Sequence, residues 1–437
     1  MLQWLQQLIA PPLVSAPPAV SMPIPAAAPV PVPAVAPVRY ARLIMVTAHN
    51  NNKFYEMREN GDGTFTATYG RVGSPGVAAQ YPIQRWDSLY REKTQKGYTD
   101  QTHLMGGQEL NQVWAPETDT RVQDMVSFLM KCARQSVRYH YLVTAQEVTP
   151  QQLSRAQELL DELAGMIGPG MSADRYNEGL LQLFRVIPRR MRHVQDHLIG
   201  APETEEDIAA IRQQLGHEQE TLDVLRGQVT LQAGNEQTET LLMPDSLGLR
   251  ISPVETPRIL RQITQLMGEE AGRFRRAFEV VNPRHQFAFG EHVSRAKDSK
   301  VALLWHGSRN ENWLSILQGG LVLRPAQAVI NGKMFGYGLY FADKCRKSLN
   351  YTSMRGAYWS GGQSQTAYLA LYEVHTGRAL TLTRHDPSCY ELSHAALQKR
   401  GAYDSVFARR GADLVNNEYV VYQEAQCQIK YLIEVAA

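Results

Sequence analysis

The period of the apolar residues changes twice along this chain, and those changes limit what it can fold into. From Arg39 to about His103, apolar and polar residues alternate between Gly, Asn and Asp turns. "RLIMVTAH", "KFYEMRE", the "NGDG" turn and "TFTATYGRVG" therefore read as short antiparallel strands joined by tight turns. "RWDSLYREKTQKGY" reads as one helix, with Trp86, Leu89 and Tyr90 on one side and Gly97 past its end. Between about Thr118 and Gly227 the spacing becomes helical: Val122, Met125, Val126 and Leu129 fall at i, i+3, i+4 and i+7. Thr149 as N-cap and Pro150 at the first helical position open a second helix. Its buried stripe is Leu153, Ala156, Leu160, Leu163 and Ile167. "YNEGLLQLFRVIP" and "TEEDIAAIRQQLGHEQETLDVLRG" supply two more helices, and nothing in this stretch looks catalytic. From about Leu241 the pattern is mixed. A helix at "PRILRQITQLM" precedes strand-like segments at "RAFEVVN", "VALLWH", "TAYLALYEV", "EYVVYQ" and "QIKYLIEV".

Residues 1–38 carry no charged side chain and are dominated by Pro, Ala and Val. Proline at this density excludes helices and sheet ladders and predicts a disordered, semi-rigid tail. It has neither the positive start nor the long apolar core of a secretory signal. The expected organisation is a multidomain α+β chain. A tail (1–38) is followed by a small antiparallel sheet with one helix (39–110), an all-α bundle (118–236) and an α+β domain with mainly antiparallel sheets (237–437). A net charge of +2 argues against a strongly basic coat. The four cysteines are scattered without a CxxC pair, which predicts neither a zinc finger nor a disulfide framework. No metal site and no membrane span are expected, since no run of eighteen apolar residues exists.

The last zone carries the chemistry. "VALLWHGS" delivers His306 from a buried strand straight into small polar residues. In "NGKMFGYGLYFADKCRKSLNY", Gly336 and Gly338 precede Tyr340, and glycine lets a backbone approach a ligand closely. A helix then carries Ser348 and Tyr351 on one face, and "LVNNEYVVY" puts Glu418 at the start of an apolar strand. Singly, each has a plain structural role: a satisfied strand-end histidine, a packed tyrosine, a solvated glutamate.

Together, "WHGSRNENW", "GLYFADKCRKSLNY" and "NNEYVVY" closely resemble the His-Tyr-Glu signature of the poly(ADP-ribose) polymerase (PARP) family of ADP-ribosyltransferases. "LVTAQEVTPQQLSRAQELLDEL" with "LFRVIP" is similar to the regulatory helical domain of its DNA-dependent members, and "TATYGRVGSPG" with "REKTQKGY" to the WGR module. The resemblance implies an NAD-dependent transferase, without a metal, that moves ADP-ribose to protein acceptors (itself included) and releases nicotinamide. Catalytic roles fall to Glu418, His306 and Tyr340. His306 would bond a ribose hydroxyl on the adenosine side, and Gly307 and Ser348 the nicotinamide carboxamide. Tyr351 and Tyr340 would sandwich the ring, Ser308 and Asn312 would sit near the adenosine, and Glu418 would contact the nicotinamide ribose. Tyr69, Gly70 and Arg71 would bind DNA ends or nicks.

Four positions depart from the family pattern. Tyr69 stands for the WGR tryptophan, Val322 for an arginine near the adenosine and Tyr337 for a lysine, and the stretch between Cys389 and Glu418 is short. Polymer synthesis switched on by DNA breaks is the leading expectation. Constitutive single-unit transfer and an inactive DNA-end scaffold are the alternatives. A monomer is expected, nuclear in a eukaryote and cytoplasmic in a bacterium.

Overall fold

The computed structural model describes residues 39–437, apart from 73, 103–110, 115–117, 142–147, 169, 234–239, 244–247, 324–333, 359 and 412–413. The Pro/Ala-rich stretch lies outside the described residues. Strands β1 (Tyr40–Thr47), β2 (Asn51–Glu59), β3 (Thr64–Arg71), β4 (Val77–Pro82) and β5 (Thr99–Asp100) form an antiparallel sheet in the order β4-β3-β2-β1-β5. Gly61 and Gly63 in the "NGDG" turn adopt positive φ, and Asp62 accepts the Thr64 amide at 2.9 Å. Helix α1 (Trp86–Gln95) lays Trp86 and Leu89 on Leu43, Met57 and Phe65. The extra strand β4, largely exposed and lacking an apolar face, left little pattern in the sequence. Ile44 and Val46 of β1 are buried in the core of the helical region, so this strand is covered on both sides.

Strand β6 (Asn111–Trp114) leads into four helices: α2 (Thr120–His140), α3 (Pro150–Met166), α4 (Ala173–Val186) and α5 (Glu205–Ala233). Side chains of Asp119, Thr149 and Ser172 cap the first three, and Thr149 forms a reciprocal capping box with Gln152. Leu153, Ala156, Leu160 and Leu163 are buried as the spacing predicts, while Ile167 is the partly buried C-cap. Helix α5 runs past the expected stop at Gly227 to Ala233. A Cβ at Gly227 would lie 2.7 Å from Ser315 Cβ, so that glycine permits close approach to the last region. Strand β7 (Thr240–Met243) returns parallel to β6, pairing Asn111 with Thr240 and Trp114 with Met243.

The C-terminal region comprises β8 (Arg250–Pro253), α6 (Pro257–Met267), β9 (Phe274–Val281), α7 (Pro283–Arg295), β10 (Val301–Gly307), α8 (Trp313–Gly319), β11 (Leu339–Phe341), α9 (Cys345–Leu349), β12 (Thr366–His375), β13 (Ala379–Leu382), α10 (His394–Gly401), β14 (Ser405–Ala408), β15 (Glu418–Val421) and β16 (Cys427–Ala436). One antiparallel sheet runs β10-β12-β16-β9-β8, and a second runs β11-β15-β14-β13 with only β13 and β14 parallel. Trp305 and Ala342 exchange backbone hydrogen bonds at 2.8 and 2.9 Å, tying the two sheets together where β10 ends. The fold is thus mixed helix and sheet, as expected. Among the described residues no helix is long and apolar enough to cross a membrane.

Candidate active site

The junction of the two sheets is where the chemical residues meet. His306 leaves the edge strand β10 and packs against the rings of Trp313, Phe341 and Tyr372, with centroids 5.8–6.4 Å away. Its Nδ1 lies 3.1 Å from the Tyr340 carbonyl, which can only accept. Nδ1 therefore carries the proton, and Nε2 is left as an acceptor. Burial lowers the imidazole pKa, against a smaller upward pull from the Tyr340 carbonyl, so the ring is neutral near pH 7.

On the facing sheet, β11 pairs with β15 so that Phe341 opposes Tyr419, which sets Tyr340 beside Glu418. A Cβ at Gly307 would meet the Ser348 carbonyl at 1.9 Å; only glycine lets β10 touch α9 here. A cleft of about 360 Å³ results, lined among others by His306, Gly307, Tyr340, Ser348, Tyr351 and Glu418. A second cavity of about 450 Å³ shares His306 and Ser308 with it and includes Asn312 and Ser315. Both volumes suit ligand pockets, and His306 and Ser308 stand at the waist of one elongated groove.

Comparison with known proteins agrees with this geometry. Residues 40–104 match the WGR domain, and residues 260–437 match the poly(ADP-ribose) polymerase catalytic domain. A putative poly [ADP-ribose] polymerase-like protein of Invertebrate iridescent virus 6 is 33% identical over 161 residues, 36% of this chain and 83% of that protein. The chain belongs to the poly(ADP-ribose) polymerase family. Poly [ADP-ribose] polymerase 2-A of rice (Oryza sativa subsp. japonica) aligns with 89% of the chain and 68% of its own length at 24% identity. Human poly [ADP-ribose] polymerase 2 is 32% identical over 36% of this chain and 29% of its own length. As a family member the protein is an ADP-ribosyltransferase, and NAD is the substrate of the catalytic domain it carries.

Within this PARP site, Glu418 is 8% exposed, and its Oε1 lies 2.5 Å from Lys347 Nζ. The same ammonium donates to the Asn417 carbonyl at 3.3 Å, and Asn417 donates to Asp343 at 2.7 Å. Burial lowers the Lys347 pKa while Glu418 pulls it back up. Sequence reasoning missed this lysine, although it precedes Ser348 in a quoted motif. Helix α9 delivers both side chains to the cleft, although neighbours on a helix stand about 100° apart.

Two expectations change in detail. Helix α9 stops at Leu349, whose carbonyl accepts the Thr352 hydroxyl at 2.8 Å. Tyr351 therefore sits in the following turn, but still lines the cleft with Ser348. Gly336 and Gly338 serve packing as well as access. A Cβ on them would meet the Leu392 carbonyl at 2.0 Å and Val420 Cγ1 at 2.2 Å. The Tyr340 hydroxyl is committed inward, donating to the Gly336 carbonyl at 2.7 Å and accepting the Phe335 amide at 3.0 Å. What Tyr340 offers the cleft is its ring. Burial raises its pKa, and that of Tyr351 is pushed up to about 12.

The groove has a further wall that no motif announced. Glu220 of α5 lines both cavities, and Asp223 and Arg226 line the second. Val322 is exposed at the rim of both, and Tyr337 lies half-buried beside Arg212 of α5.

The expected DNA-binding residues sit on β3, far along the chain from the groove. Tyr69 stacks on Tyr55 at 5.5 Å, which occupies one face of its ring. Gly70 packs closely, since a Cβ there would lie 2.9 Å from Ser74 Oγ. Arg71 donates to the Asn50 carbonyl at 3.1 Å, to Asn50 Oδ1 at 2.9 Å and to the Arg192 carbonyl at 2.6 Å. Its guanidinium therefore joins the sheet to the helical region rather than standing clear in solvent.

Proposed function

We propose that the protein builds ADP-ribose polymer on protein acceptors, itself included, and that DNA ends switch it on in a DNA-containing compartment. The observation that carries the chemistry is the convergence of Glu418, His306, Tyr340, Ser348 and Tyr351 on one cleft.

In the reaction the C1′–N bond between ribose and nicotinamide breaks. The electron pair leaves with nicotinamide, which departs neutral, and positive charge develops on the ribose as in glycoside hydrolysis. A fixed carboxylate beside that ribose is worth most at the moment of charge development. Glu418 holds that place, and its ion pair with Lys347 orients it. The acceptor oxygen bonds to C1′, and its proton passes to the carboxylate and on to water. When the acceptor is a ribose hydroxyl of an existing ADP-ribose, the chain grows. Neutral His306 accepts a ribose hydroxyl at Nε2; Gly307 and Ser348 hold the carboxamide; the Tyr351 and Tyr340 rings enclose the leaving group. Ser308 and Asn312 take the adenosine side.

Regulation runs through α5. Glu220 and Asp223, with Arg226 beside them, put α5 side chains against the groove that NAD would fill, so the helix would have to shift for NAD to bind. The helix is linked to the sheet domain. Asn52 Nδ2 donates to the Arg189 carbonyl at 3.3 Å, and the Arg189 side chain pairs with Glu218, one residue from Gln219 and two from Glu220. DNA bound at the sheet would shift the population toward states with α5 displaced.

The test is purified full-length protein with labelled NAD, with and without nicked or blunt duplex, the products sized on a gel. A ladder dependent on DNA is expected. Equal turnover without DNA removes the switch, and a single discrete shift replaces polymer by single-unit transfer, the reading that Tyr69 and Tyr337 favour. Unchanged NAD consumption by Glu418→Gln removes the site assignment.

A further inference from the structure

The segment Ile187–Val194, "IPRRMRHV", takes no part in the groove, yet it is densely basic. Arg189, Met191 and Val194 are buried, whereas Arg190, Arg192 and His193 are exposed. The alternation follows from extended backbone. Arg189 forms an antiparallel bridge with Tyr141, and the Arg190 amide donates to the His140 carbonyl at 2.9 Å, so successive side chains point to opposite sides. Arg190 therefore lies beside the C-terminal end of α2, where Arg138 and Tyr139 are exposed, Tyr139 to 75%. At its other end the segment meets the sheet domain: Arg71 donates to the Arg192 carbonyl, and His193 Nδ1 lies 3.1 Å from Asn50 Nδ2. Lys53, the register partner of Arg71 on β2, is exposed as well.

Exposed basic side chains thus stand on β2 (Lys53), at the junction (Arg192) and beside the end of α2 (Arg190 and Arg138). Among the described residues no ion pair engages Arg138, Arg190 or Arg192. Asp196, which follows Arg192 in sequence, is itself exposed.

We propose that this band is a second DNA contact, in which Arg138, Arg190 and Arg192 of the helical region hold the sugar–phosphate backbone of a duplex inward of its end. The inference rests on the reading of the sheet domain as the part that takes the end. Its continuity with that domain through Arg71 is what selects duplex DNA over another polyanion. Arginines and an exposed tyrosine are the side chains that backbone contacts use. Such contacts carry no sequence preference, which suits a protein that must engage breaks anywhere.

The experiment measures binding of full-length protein to a fluorescent blunt duplex between about 50 and 200 mM salt. It compares wild type, Arg138→Gln/Arg190→Gln/Arg192→Gln, and a control that removes the same charge from the C-terminal region, Arg258→Gln/Arg261→Gln/Arg275→Gln. Losing three phosphate contacts should weaken binding at least about tenfold and flatten the logarithmic salt slope by about 2.7. The control should stay within about twofold of wild type, as expected where no phosphate is touched. Arg190→Gln alone should flatten the slope by about 0.9, and a thermal melt reports whether each variant is folded. A folded triple variant that binds like the control overturns the proposal and leaves end binding standing. No binding by wild type overturns both. A triple variant that loses heparin binding but keeps the duplex assigns the band to another polyanion, and the DNA proposal falls.

Discussion

Arg189–Glu218 in the helical region and Lys347–Glu418 in the cleft are both buried ion pairs, with side chains 5% and 7% exposed in the first and 14% and 10% in the second. Their cations differ in kind. Arginine keeps its charge at any working pH, and Arg189 is further held by the Tyr141 ring at 4.6 Å and by the Asn52 bond to its own carbonyl. Lys347 is a point charge whose pKa burial lowers, and one side of its pair opens into the groove. The helical region needs a charge that cannot be lost. The cleft needs one that substrate and pH can influence. A buried pair says little about role until its cation and its open side are known.

Breaking one pair at a time separates those roles. The largest effect is expected for Arg189→Met, which strands a buried Glu218: about 3–5 kcal/mol of stability by denaturant unfolding. Arg189→Met/Glu218→Leu should recover most of it. A single-variant loss under about 1 kcal/mol, the range of exposed pairs, would make this pair no different from a surface one.

Glu418→Gln should leave the fold intact and lower nicotinamide release by about 10²–10³-fold, the range for removing one electrostatic partner of a transition state. An equal loss of unfolding free energy would show that the cleft pair is structural after all. Arg71→Ala removes three hydrogen bonds, two to Asn50 within the sheet domain and one to the Arg192 carbonyl across the junction, and should cost about 1.5 kcal/mol, with weaker stimulation by DNA. An unmoved denaturation midpoint would exclude Arg71 as a strut.

The smallest effect is in the pH profile. Lys347 in the folded protein loses its proton below the ordinary lysine value of 10.5. Its attraction for Glu418 is therefore present at neutral pH and lost as pH rises through that lowered value. Between the two values the unfolded chain binds more protons, so this residue makes stability rise with pH while activity falls. Lys347→Arg should shift the alkaline fall in activity upward; an identical limb in the variant would assign it to another group.

Much of this architecture was legible because local rules and global packing agree. The Thr149 cap, the apolar stripe of α3 and the alternation of β2 and β3 all state their partners' positions through spacing. The His-Tyr-Glu set was legible through its motifs, and the pairing of β11 with β15 explains why residues 340 and 418 must be close. What stayed hidden depends on contact between regions. No periodicity reveals that Glu220 faces a groove built by another region, because α5 is buried on several sides and its polar positions look solvated. Lys347 was hidden by its ordinariness, one lysine among several in a basic stretch. The resemblance assigns Arg71 to DNA, and its bond to the Arg192 carbonyl stayed hidden because the strand pattern says nothing of what lies beyond the sheet's end.

The parallel pairing of β6 with β7 has a topological consequence. The polypeptide leaves for the four helices and comes back through adjacent positions, so all of α2–α5 is a detour closed by a two-strand clasp. Because the pair is parallel, Trp114 stands opposite Met243 and about 10 Å of strand separates it from the level of Thr240, so the clasp can hold β6 beside β7 while those helices loosen.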